Sequence, residues 1–98
     1  MYLINVTIKE AVTAPEAAAH LAQHQAWFQR YFDQGNFLLL GPSQTYQRAG
    51  VIVAQAADRA ELDRILAEDA YYPDLANYAV NEFTALKIAA NITDYQAK

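Results

Sequence analysis

An α+β fold, four antiparallel strands with both helices on one face, is predicted by three observations. Tyr2–Ile8 alternates like a half-buried strand. Two segments with helix-opening signals begin at Thr13 and Asp58. Further apolar runs lie between glycine and proline stops. Together they give the order β-α-β-β-α-β, the ferredoxin-like arrangement.

The elements follow in chain order. Tyr2, Ile4, Val6 and Ile8 share one face of the first strand, with Leu3, Asn5 and Thr7 on the other. Thr13-Ala14-Pro15-Glu16 has capping-box spacing, with proline in the first turn where its missing N–H costs little. That helix should run to about Asp33, with Ala17, Leu21, Phe28 and Phe32 as its core stripe and Gly35 as its left-handed stop. Phe37–Leu40 reads as a short strand, Gly41–Gly50 as a loop and Val51–Gln55 as a buried strand. Asp58-Arg59-Ala60-Glu61 opens a second helix whose stripe is Leu62, Ile65 and Leu66 and whose end falls near Asp69. Tyr71-Tyr72-Pro73-Asp74 is a turn. Tyr78–Ile88 is the last strand, with broken alternation that suggests a bulge. The whole chain, 1–98, is one domain with its core in 1–88, and the tail 89–98 carries no pattern that assigns an element.

Composition narrows the function. The 98 residues are 54% hydrophobic, enough for a single core. There is no cysteine, so thiolate nucleophiles, disulfides and thiolate metal sites are excluded. No apolar run approaches the roughly 20 residues that span a bilayer, and the N-terminus lacks signal-peptide regions, so no membrane partner and a cytoplasmic location are expected. A net charge of −4 with scattered Lys and Arg argues against nucleic acid. The Leu3, Asn5, Thr7 face is too apolar for open solvent and too polar for a core. A homodimer packed sheet to sheet is therefore expected.

His24 is the leading candidate for chemistry. It can titrate near neutral pH and sits in a helix beside Trp27, Phe28, Tyr31 and Phe32, the surroundings that proton transfer requires. His20, His24, Trp27 and Tyr31 form one face, adjacent to the expected core stripe. Such a face is packing or interface, or else a flat wall for a ring substrate beside an acid/base group. His20 and His24 have the one-turn spacing of a two-histidine metal site, but no motif supplies a third ligand. No metal and no cofactor are expected, and His20 is read as a surface residue. Ser43 and Tyr46, in the loop after Gly41-Pro42, are further candidates for ligand contact.

Three features give the chain a specific resemblance. A helix histidine, His24, is followed by a strand ending in Gly41-Pro42. The second helix closes on Asp69-Ala70-Tyr71, and Tyr78 opens a final strand. Over roughly residues 1–88 the chain resembles the YCII-related (YciI-like) family, dimers of ferredoxin-like subunits in the dimeric α+β barrel superfamily. The resemblance implies a pairing of His24 with Asp69 in a cleft beside the dimer interface; Trp27, Tyr71 and Tyr78 are further candidates for ligand contact. In such a pair the carboxylate fixes the imidazole tautomer and leaves the other nitrogen to move a proton. Both helices lie on one face of the sheet, so one side chain from each can meet at its edge. Two positions depart from the family pattern: Ala70 stands where proline is usual, and Leu21 where a basic residue is common.

The expected function is thus a small-molecule enzyme using a His24–Asp69 dyad for acid/base chemistry of the lyase, isomerase or hydrolase class. Its substrate is an unidentified small molecule, aromatic or anionic. A non-catalytic ligand-binding or accessory protein on the same fold is the alternative. Cofactor-free monooxygenase-like activity is a further one, resting on superfamily relatives that include muconolactone-isomerase-like and monooxygenase-like proteins.

Overall fold

The computed structural model describes residues 1–98. Strand β1 (Tyr2–Ile8) is followed by α1 (Ala14–Asp33), β2 (Phe37–Pro42), β3 (Ala49–Ala54), α2 (Arg59–Leu66), β4 (Ala76–Glu82) and a short 3-10 turn at Ile92–Tyr95. The strands form one sheet in the order β2-β3-β1-β4, with every neighbouring pair antiparallel. This is the expected ferredoxin-like topology.

Register decides which residues meet the helices. Ile4 lies opposite Ile52 on one side and Val80 on the other, while Val6 lies opposite Tyr78. Directly opposed residues share a face. Tyr2, Ile4, Val6, Ile52 and Ala54 therefore build the core together with Leu62, Ile65 and Leu66 of α2. Tyr78 and Val80 pack against this cluster from β4. The other face carries Leu3, Asn5, Thr7, Val51 and Val53 and is covered by no helix.

Both helix starts follow the local chemistry read from the sequence. Thr13 Oγ1 accepts the Glu16 N–H and Asp58 Oδ1 accepts the Glu61 N–H. Gly35, at φ 87°, closes α1. Its N–H reaches Phe32 O while the Asn36 N–H reaches Tyr31 O, the double bond of a Schellman stop.

The inward face of α1 differs from expectation. Leu21 is 46% exposed and Phe32 51%, whereas Trp27 and Tyr31 are the buried residues of this helix. Phe28 is only partly buried. The expected core stripe is therefore rotated, and the face containing His20, His24, Trp27 and Tyr31 is the one that packs inward. The reason lies in α2, whose end offers acceptors. Trp27 Nε1 donates to Ile65 O at 2.8 Å, and the Tyr31 hydroxyl donates to the Glu68 carboxylate.

Six boundaries also move, among them the end of β3, at Ala54 rather than Gln55, and the start of β4, at Ala76 rather than Tyr78. The hairpin ladder extends to Pro42 and back from Ala49, so the loop is shorter than Gly41–Gly50. Helix α2 stops at Leu66 rather than near Asp69. Strand β4 ends at Glu82 instead of Ile88, and the last bond to the β1 side runs from the Phe83 N–H to Met1 O. Its register to β1 is unbroken, and the irregularity falls in β2 between Phe37 and Leu39. There the extra Leu38 resets alternation, so that Phe37 points to the core while Leu39 opposes Val53 on the outer face.

Candidate functional site

Three elements converge on one carboxylate. Past the last turn of α2, the Asp69 N–H bonds to Leu66 O and Asp69 O accepts the Tyr72 N–H, which fixes the backbone at the sheet edge. The Asp69 side chain is fully buried. From α1, His24 Nδ1 lies 2.5 Å from Asp69 Oδ1. From β4, the Tyr78 hydroxyl donates to Asp69 Oδ2 at 2.5 Å. Both carboxylate oxygens are thereby engaged, as a buried charge requires.

The aromatic shell around the imidazole is close. Phe28 meets it edge-on with ring centroids 4.2 Å apart, Tyr71 lies at 4.7 Å, and Trp27 stacks at 5.7 Å. The Tyr71 hydroxyl is itself committed, donating to Ala17 O at 2.7 Å. Tyr71 and Trp27 are almost fully buried and thus form the fixed walls of the histidine's seat. His20, expected at the surface, is half-buried and meets the edge of Tyr71.

Only the outer part of the imidazole is open, 12% of the His24 side chain. Its Nε2 makes no protein hydrogen bond, yet no buried side-chain nitrogen or oxygen lacks a partner. Nε2 therefore reaches the surface. A carboxylate on Nδ1 favours the tautomer with its proton there and leaves Nε2 as the basic nitrogen. Chemically, the arrangement can accept a proton at the surface while the buried carboxylate stabilises the imidazolium formed.

Nearby hydroxyls are held neutral. Burial pushes the Tyr78 phenol far above its ordinary value, and its hydrogen bond to Asp69 and that residue's charge push it further. Burial, followed by the charge of Asp69, raises Tyr71. Burial and the bond to Glu68 raise Tyr31. At neutral pH these groups are donors to carboxylates and carbonyl oxygens, not bases.

Of the residues singled out in the sequence, His24, Asp69, Trp27, Tyr71 and Tyr78 come together. Ser43 and Tyr46 do not. They border a hollow of about 270 Å³ with Asn5, Thr7, Ala49 and Gly50, on the face away from the helices. There Ser43 Oγ accepts the N–H groups of Thr45 and Tyr46, which is turn chemistry. A larger hollow, about 420 Å³, lies between Gln23, Ala26, Trp27, Arg30, Glu68 and Ala70, one side of which backs onto the dyad's Trp27 wall. Phe28, named beside His24 but assigned to the core stripe, belongs to this site, and Glu68 was missed. Phe28 had a signal, its position one helical turn after His24. Glu68 had none, since its partner Tyr31 is distant in sequence.

The four-stranded antiparallel sheet with two helices is the fold of a small ferredoxin-like α+β protein. The family model of the YCII-related domain matches residues 1–84, and the chain belongs to that family. No curated protein gives a match.

Proposed function

We propose that the protein is a small-molecule enzyme of the acid/base type, of lyase, isomerase or hydrolase class, with His24 as proton carrier and Asp69 as its orienter. The observation that carries this reading is the 2.5 Å contact between His24 Nδ1 and a carboxylate with no exposed side-chain surface. A surface histidine bonded to solvent would need no such partner. Tyr78 takes a different role from the ligand contact expected of it: its hydroxyl fixes the second oxygen of Asp69. Trp27 and Tyr71 hold the imidazole plane. The substrate is a small aromatic or anionic molecule that meets Nε2 at the surface. A second copy covering the Leu3, Val51, Val53 face belongs to the same reading.

The test is proton NMR in deuterated buffer with a panel of small aromatic and anionic hydroxy acids, lactones and ketones. Turnover or deuterium incorporation should fall about 10²- to 10⁴-fold in His24→Gln, the usual contribution of a positioned acid/base group. Asp69→Asn should lower it while leaving the fold intact by circular dichroism.

One observation favours a ligand-binding protein instead: the hollow of about 420 Å³ beside Trp27 does not have His24 among its walls, so a ligand seated there need not meet the imidazole. Chemical-shift changes around Trp27, Arg30 and Glu68 with no His24-dependent turnover across the panel would select that reading.

A further inference from the structure

The end of the chain has the surface of an unfinished interface. After Phe83 bonds to Met1 O, the N–H groups of residues 84–91 find no backbone partner in their own chain. Residues 83–89 belong to no helix or strand of their own chain, and they carry Leu86 and Ile88. Leu86 is 87% exposed and Ile88 62%, and beyond them Tyr95 is 82% exposed. A segment with free backbone groups and exposed large apolar side chains is a template for pairing with another chain.

The surface of the whole molecule agrees. An 11.0 kDa chain exposes 6849 Å². Scaling for monomeric proteins gives about 5,600 Å² at this mass, so the excess is about 1,200 Å². A standard interface covers about 800 Å² on each partner. Both the arm and the uncovered sheet face of Leu3, Val51 and Val53 contribute to this excess, and both belong to the same chain. Two copies can cover both at once, because each presents an arm and a face, the self-complementarity of a two-fold interface.

We propose that the segment Thr84–Ile88 is a docking arm that packs on a second copy of this chain, with Leu86 and Ile88 as its anchors. The inference rests on the dimer proposed above and adds the segment that locks it. It is independent of the acid/base chemistry. Because both anchors are exposed in their own chain, replacing them leaves that chain's core untouched.

Sedimentation equilibrium on the wild type and on the double variant Leu86→Lys/Ile88→Lys tests it, with Phe32→Lys as a control at another exposed apolar site. The wild type should sediment at twice 11.0 kDa. The double variant should weaken self-association at least about tenfold, as expected for anchor residues, and the control should not. In a mixed-label dimer, nuclear Overhauser contacts from the Leu86 and Ile88 methyl groups should reach the other copy. A monomeric wild type overturns both the arm and the sheet-face dimer. A wild-type dimer that the double variant leaves unchanged, or contacts confined to one chain, overturns the arm alone.

Discussion

Three side chains of α1 carry polar heads to the last turn of α2 and the turn that follows it: His24 to Asp69, Trp27 to Ile65 O and Tyr31 to Glu68. This explains why the more apolar stripe lost. Leu21 and Phe32 bring greasier surface, but the amphipathic residues bury rings and satisfy their heads together. The sequence did hold the signal. Ala17, His20, His24, Trp27 and Tyr31 follow an unbroken 3-4-3-4 spacing, whereas Gln25 interrupts the Leu21, Phe28, Phe32 series. Asp69 was legible only through resemblance, since nothing local says that a carboxylate beyond a helix end will meet a histidine 45 residues earlier. Two predictions belong here. Trp27→Ala should cost about 3–5 kcal/mol in urea denaturation at fixed protein concentration, and Phe32→Ala should stay within about 0.5 kcal/mol. Tyr78, Tyr71 and Tyr31 all hold their protons more tightly folded than unfolded, where the ordinary value is 10.0. Their stabilisation is complete below that pH and is lost as pH rises through it toward the raised folded values. The urea midpoint should therefore fall above about pH 10, and Tyr78→Phe should make the fall shallower.

Element boundaries were readable wherever a local interaction sets them. Thr13, Asp58 and Gly35 each sit where their chemistry demands, because a cap or a positive φ involves only a few neighbouring residues. Boundaries set by a partner elsewhere were not. Strand β4 stops where its pairing with β1 ends, and the bulge sits in β2 because Leu38 must be absorbed against β3. Neither fact is visible within the strand concerned. The cap of α2 gives a direct check. Asp58→Ala removes the acceptor of the Glu61 N–H and should lower stability by about 1 kcal/mol in chemical denaturation. Because that helix leads into the Asp69 turn, the same variant should leave His24 chemistry intact if its core stripe of Leu62, Ile65 and Leu66 holds the helix in place.

At the scale of the molecule, the sheet order β2-β3-β1-β4 is what makes the site. It puts β4 at the edge, so Tyr78 stands beside the turn after α2, and α1 crosses the same face to bring in His24. Fold class followed from element order alone, whereas the site needed side chains from three elements to be placed against one another. The central claim is that this architecture fixes His24 with its proton on Nδ1 and its basic nitrogen at the surface. Nitrogen-15 NMR of the imidazole at alkaline pH, where the ring is neutral, reads this directly. The wild type should show a proton on Nδ1 and a bare Nε2, and Asp69→Ala should move the ring toward the tautomer with its proton on Nε2. A wild-type ring with its proton already on Nε2, or a tautomer balance unchanged by Asp69→Ala, would contradict the account.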